Sequence, residues 1–366
     1  MDKDRITIAE FLNKLKTKVP NLVINKCINS DEELCISSNY LTRITNSIIF
    51  FAGNSNVEFA NTLVNDIMKK PTYKNGKLYE ILIYNWFIEK KIIFEPQPFI
   101  QKEDCLKNNS YYADGKISGF DKEVYFDVKN FGITIPHIDT LKEKLNEKIP
   151  NVLITTGGDL NISYENLEKY ALKKIDEIVN ALLSEETRNQ TMHIYKIPNT
   201  GIEVKTEPIS KRIISSISEF NAYEWAEKNE FYFMHHGSQF CINKPYIIIC
   251  PFDINNLSIF ANDDPTRVQL IFRNLCRRVF MNLTKMHELK LNSFDGKAKN
   301  QYSVEDAARK ISAIVFTDVT NYQDYSNCRM WVYVNPNADN KLQSYQINSW
   351  FRDNGAYVDD FRFDNY

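Results

Sequence analysis

The chain has 366 residues, is 43% hydrophobic and 13% aromatic, and carries 45 Lys and Arg against 47 Asp and Glu, a formal charge of −2. This composition excludes a disordered or fibrous protein, and the charge balance excludes one that coats nucleic acid through bulk positive charge, so any polyanion site must be local. The length predicts two domains or one elaborated domain.

Helical periodicity over 5–18 and 55–69 predicts an N-terminal helical cap spanning 1–75, without evident chemistry. From Lys77 the pattern becomes an ordered alternation: a helix over 76–91, a strand over 93–100, two strands over 111–118 and 123–131, a helix over 137–148 and an apolar strand Val152 to Thr155. A hairpin followed by a βαβ crossover predicts an α/β core over 76–160, a mixed sheet flanked by helices. The glycine pair Gly157-Gly158 marks a soft boundary. Beyond it, a helical stretch over 163–188, β segments over 193–197 and 202–206, a helix near 218–229, strands at 246–250, 311–317 and 330–334, a helix over 265–283 and a tail helix over 342–353 predict an α/β C-terminal half, 161–366. This half is expected to complete the fold and to contact nucleic acid.

Seven scattered cysteines without a CxxC pair read as buried or free thiols of a reducing compartment. The N-terminus has no apolar segment behind it, and no apolar run approaches the roughly 20 residues that span a bilayer. A cytoplasmic protein without membrane contact is expected.

The chemistry concentrates in one hairpin, Tyr111 to Lys129. A four-residue turn over Gly119 to Lys122 places Ile117 opposite Val124 and Asp114 opposite Asp127. Like charges facing each other across strands are destabilising without a compensating cation. The strand period of two puts Asp127 and Lys129 on one face and Val124, Phe126 and Val128 on the other, toward the core. Lys116, two residues after Asp114, is expected on the functional face. Two carboxylates beside a lysine suit a hard divalent cation such as Mg²⁺, which keeps several waters, one of them a possible nucleophile. On the preceding helix, Glu80 shares an apolar stripe with Ile83, Tyr84 and Phe87, and a carboxylate there is costly unless paired or metal-bound.

The order of a helix bearing Glu80, a strand, Asp114, and then Asp127-Val128-Lys129 followed by a helix and a strand resembles the PD-(D/E)xK nuclease superfamily, whose fold is restriction-endonuclease-like. Asp114 matches the first acidic residue of that motif, with Ala113 where the motif name has proline, and Glu80 matches the helical glutamate of one branch. The resemblance covers about residues 76–157. It implies a Mg²⁺-dependent DNA endonuclease, with Mn²⁺ able to substitute, in restriction or anti-phage defence. It further implies that Asp114, Asp127, the main-chain carbonyl of Val128 and Glu80 ligate the metal, and that Lys129 orients or helps deprotonate the attacking water. A structure-specific or end-processing repair nuclease, and a catalytically inactive nucleic-acid-binding protein of the same fold, are the alternatives. Double-strand cleavage needs two active sites, which a homodimer would supply.

The stretch 267–310 is richer in basic than acidic residues. Its helix buries Val268, Phe272, Leu275 and Val279, so Arg273 and Arg277, with Arg278 and the hairpin's Lys116, are expected to hold phosphates. His235-His236 with Cys241 lacks the spacing of a zinc site, and Gly157-Gly158-Asp159 lacks the rest of a nucleotide-binding loop.

Overall fold

A computed structural model of the chain describes residues 6–23, 33–34, 38–54, 56–69, 76–107, 110–118, 122–129, 136–150, 152–158, 164–184, 193–208, 222–252, 265–292, 301–319 and 329–362. The expected turn residues Gly119 to Asp121, residues 218–221 of the helix near 218–229, and Asp159 lie outside them, as do Cys27, Cys35 and Cys328. The chain is mixed α/β and divides into two units, one of residues 1–131, 226–252 and 269–366, the other of 132–225 and 253–268.

The first unit is built on a seven-stranded mixed sheet whose strands lie side by side in chain order: β1 (Phe94–Pro96), β2 (Gly115–Ile117), β3 (Val124–Val128), β4 (Tyr246–Phe252), β5 (Ile311–Asp318), β6 (Met330–Val334) and β7 (Tyr357–Asp359). β1, β2 and β3 form an antiparallel meander. β3, β4 and β5 run parallel, β6 is antiparallel to β5, and β7 is parallel to β6. β4, β5 and β6 are buried at every position, as central strands covered on both faces must be.

Helices α1 (Ile8–Lys18), α2 (Ser38–Gly53), α3 (Val57–Lys69) and α4 (Gly76–Glu89) share one core with the sheet residues Ile117, Val124, Phe126, Ile247, Ile249, Val315 and Val332. The N-terminal helices expected as a cap are therefore part of the main core. α4 is buried from Leu78 to Phe87; its apolar residues run around the whole circumference, the pattern of a helix enclosed on all sides. The opposite sheet face is covered by Gln269–Arg277, the end of the helix Pro265–Arg277, where Phe272 stacks on Phe316 at 3.8 Å between ring centroids. That helix continues through a π-helical turn, Arg278–Asn282, where the side-chain amide of Asn337 donates to the carbonyl of Phe280 at 2.9 Å.

The apolar strand Val152 to Thr155 was expected to follow β3 in the central sheet, closing a core over 76–160. Within Val152–Gly158 it instead forms, with Ile202–Pro208 and His193–Lys196, a separate three-stranded antiparallel sheet in the second unit. The parallel neighbour of β3 is β4, and the sheet extends as far as Asp359. The physical reason is burial. In Val152–Gly158, Ile154 and Thr156 are buried while Val152 and Thr155 are half exposed, which suits a sheet with one covered face, whereas β4 is apolar throughout. The second unit closes its own core with Leu141, Leu145, Leu167, Ile178, Ile202 and Val204, drawn from helices Pro136–Lys148, Tyr164–Tyr170 and Ile175–Leu182 and from its sheet.

Candidate active site

The meander places the hairpin residues in the expected register: Ile117 faces Val124, Lys116 faces Tyr125 and Gly115 faces Phe126. One step beyond the ladder, Asp114 meets Asp127. The backbone N–H of Asp114 donates to Oδ1 of Asp127 at 3.2 Å, and the N–H of Val128 donates to Oδ2 of Asp114 at 2.7 Å. Each aspartate is thus held by the main chain on the opposite side of the ladder, which fixes both carboxylates without depending on flexible side-chain partners.

Asp127 has no solvent exposure. Its Oδ2 pairs with Nζ of Lys129 at 2.7 Å, and the hydroxyl of Tyr111 donates to the carboxylate, 3.0 Å from Oδ2 and 3.2 Å from Oδ1. Tyr246, on the same sheet face, directs a buried hydroxyl at Asp127. Burial works to raise the Asp127 carboxyl, but Lys129, the Tyr246 hydroxyl and the Asp114 N–H outweigh it and hold it below the usual carboxylate range. Burial works to lower the Lys129 ammonium, and Asp127 and Asp114 together overcome it, so the lysine stays charged above its ordinary range. Asp114 behaves oppositely. Burial and then the like charges of Asp127 and Glu80 push its carboxyl well above the usual range, against the weaker effects of Lys129 and the Val128 N–H.

Glu80 joins the pair through a tyrosine. The Tyr84 hydroxyl, one helical turn on, lies 2.6 Å from Oε1 of Glu80 and 2.5 Å from the main-chain carbonyl oxygen of Asp114, and Lys77 pairs with the other Glu80 oxygen. Tyr84 is wedged by Phe94, stacked at 5.3 Å, and by Phe51 at 5.7 Å. Sequence reasoning singled out Glu80 and missed what links it to the hairpin. The i, i+4 spacing of Glu80 and Tyr84 carried that signal. Tyr111 carried none, because the break in strand pairing at Ala113 and Asp114 defeats counting by twos.

The donor chemistry suits a hard divalent cation: two carboxylates side by side, one of them driven up by burial and like charge, with the main chain of Val128 between them. Among the described residues, no three His, Cys, Asp or Glu side chains form a compact metal-binding cluster. Glu80 is connected through Tyr84 to the main chain of Asp114, so its participation would need its side chain to turn.

The residues expected to grip phosphate are placed otherwise. Lys116 lies between Glu95 at 2.8 Å and Glu123 at 3.0 Å, bridging across the meander. Arg273 pairs with Asp359 at 2.7 Å and lies over the ring of Phe361, and Arg278 pairs with the buried Glu230 at 2.6 Å and with Glu227 at 3.2 Å. Arg277 is half-buried and also engaged. Arg273, Arg278 and Lys310 are thus drawn into ion pairs with acidic residues distant in sequence, which a local count of charges cannot register. Changing Arg273 and Arg278 together to alanine is expected to lower stability by about 1.5–3 kcal/mol for each lost charged hydrogen-bond set and to leave the salt dependence of DNA binding unchanged. Chemical denaturation and binding titrations over a range of salt check both parts; a flattened salt slope would return these arginines to the phosphate-binding role.

Comparisons of the chain with protein-family profiles, with curated proteins and with solved structures found no match in any of the three.

Proposed function

We propose that the chain is a metal-dependent phosphodiester hydrolase acting on DNA, built on a restriction-endonuclease-like core. The observation that carries this reading is the juxtaposition of Asp114 and Asp127 across β2 and β3, held by reciprocal main-chain hydrogen bonds, with the charged Lys129 against Asp127. The order of elements supports it: a helix bearing Glu80, an antiparallel meander bearing the two aspartates, and a strand parallel to β3. In this chain that last strand is β4, reached only after residues 132–225 of the second unit.

Asp114, Asp127 and the main-chain carbonyl of Val128 would hold Mg²⁺ or Mn²⁺, with Glu80 available from α4. When bound, such an ion supplies a water of lowered pKa as nucleophile and offsets charge on the phosphoryl oxygens. The remaining work belongs to the chain. Lys129, paired with Asp127 at 2.7 Å, would act as hydrogen-bond donor and positive charge toward the attacking water and the developing phosphoryl negative charge. Tyr111 fixes the carboxylate of Asp127, and Tyr84 fixes the main chain of Asp114 relative to Glu80. A role in restriction or another host-defence process and pairing of two chains for double-strand cleavage follow from the resemblance alone. No described helix is long and apolar enough to cross a membrane.

The test is incubation of the purified chain with supercoiled plasmid, a randomised linear DNA pool and single-stranded RNA, in Mg²⁺, Mn²⁺ or chelator. Cleavage of DNA with either ion and none with chelator is the expected result. Fixed ends would identify a sequence-specific endonuclease, and ragged ends an end-processing enzyme. Cleavage of none of these substrates with either ion, together with DNA binding, would replace the hydrolase with a binding protein of the same fold.

A further inference from the structure

Two cysteines far apart in sequence meet in the first unit. Cys105 follows the short 3₁₀ turn Lys102–Asp104, and Cys241 precedes β4; they form an isolated antiparallel bridge. The N–H of Leu106 donates to the carbonyl of Phe240 at 2.9 Å, and the N–H of Ile242 donates to the carbonyl of Asp104 at 2.8 Å. The flanking residues therefore make the hydrogen bonds, and the cysteines occupy the non-hydrogen-bonded position. There the α-carbons approach to about 4.5 Å and side chains are closest, inside the range of about 4.4–6.8 Å that a disulfide requires. The side chain of Asn243 donates to Asp104 at 2.5 Å, so the two segments are also tied by side chains. Both thiols are free and buried, with relative exposures of 2% and 1%.

We propose that Cys105 and Cys241 are a redox modification site, forming a reversible cross-strand disulfide that staples the turn before the Tyr111 hairpin to the entry of β4. The proposal does not depend on the reaction catalysed nearby. Its electron balance needs an external acceptor, a small-molecule disulfide. One cysteine thiolate attacks that disulfide and releases one small thiol. The other thiolate then attacks the mixed disulfide at the protein sulfur and releases the second. Two protein thiols are oxidised, one small disulfide is reduced to two thiols, and the two protons pass to the departing thiolates.

The location gives the staple its consequence. Cys105 lies before the chain leaves for the second unit, and Cys241 lies just after it returns. The segments so joined lead to Tyr111 and Tyr246, the two hydroxyls directed at Asp127. Burial pushes the Cys105 thiol up to about 11, so reaction in the folded protein is expected to be slow and faster at alkaline pH.

The test uses the full chain and hydroxyethyl disulfide, applied to the native protein at alkaline pH and, separately, during refolding from denaturant. Proteolysis with mass spectrometry should find the Cys105–Cys241 linked peptide, and the oxidised protein should melt about 5 °C higher because a long loop is closed in the unfolded chain. A reducing agent should reverse the shift, and Cys105→Ser and Cys241→Ser should each abolish it. Absence of the linked peptide by both routes, pairing of either cysteine with another partner, or a linked protein with unchanged or lower melting temperature would overturn the proposal. Comparing plasmid cleavage before and after oxidation keeps the two readings apart, since the linkage and its thermal effect are read without activity.

Discussion

Asp114→Asn is expected to raise the melting temperature of the metal-free protein at neutral and alkaline pH, and Asp127→Asn to lower it, although the two carboxylates are neighbours. The folded-state pKa of Asp114 lies well above its unfolded value because of burial, Asp127 and Glu80. Its contribution to stability is therefore complete below about pH 4 and is lost as pH rises through the elevated folded value. Asparagine keeps an acceptor for the Val128 N–H and removes the charge, so the gap between variant and parent should open as pH rises from about 4. The Asp127 carboxyl is held below the usual range, so its contribution is present above its unfolded pKa and is lost as pH falls through its folded one. Removing that charge leaves the Lys129 ammonium, only 12% exposed in its side chain, without its closest partner. Breaking a buried pair in this way costs about 3–5 kcal/mol. Both variants should lose cleavage, by about 10²–10³-fold, the loss that accompanies removal of a single transition-state contact. Thermal melts in chelator across pH, with parallel cleavage assays, check the signs. Two variants destabilised alike would contradict the proposed electrostatics, whatever their activities.

Gly115→Ala is expected to be among the most damaging single substitutions in the sheet. A β-carbon there would lie 2.1 Å from Cζ and 2.4 Å from Cε1 of Phe126. The ring has no free space to retreat into: it is fully buried and packs edge-on against Phe87 at 5.1 Å between centroids. Relief must come from separating β2 from β3, which would pull Asp114 away from Asp127. Overpacking of a tight core costs about 1–3 kcal/mol, occasionally more, and this contact with a confined ring belongs at the upper end. The decisive measurement is a double-mutant cycle in denaturant. Phe126→Leu should cost stability alone yet recover part of the loss when combined with Gly115→Ala; strict additivity would rule out the packing explanation.

Both predictions concern residues that differ in how far the sequence disclosed them. The hairpin register could be read from the turn and from period-two alternation, because a one-residue slip would turn Val124, Phe126 and Val128 away from the core. The placement of Asp114 against Asp127, with Lys129 beside it, was therefore legible. The neighbour of β3 was not. Val152 to Thr155 is nearest in sequence, but the strand that can be buried on both faces is Tyr246-Ile247-Ile248-Ile249-Cys250, and contiguity along the chain gave the wrong partner. Helix α2 lies outside both stretches of predicted helical periodicity, and its Phe51 packs on Tyr84. Arg273 and Arg278 looked like a surface grip because their partners Asp359 and Glu230 are distant in sequence.

The parallel pairing of β3 with β4 also bears on how the molecule is made. β1, β2 and β3 follow α4 closely in the chain, so the carboxylate pair can be assembled from short-range contacts alone. β4 can join only after residues 129–245 have been accommodated, and closing so long a loop before its contacts are gained is entropically slow. During synthesis the meander will emerge first, with the edge of β3 uncovered until β4 arrives. That bare edge, ending at Lys129, is the stage at which the nascent chain is most exposed to pairing with the wrong strand.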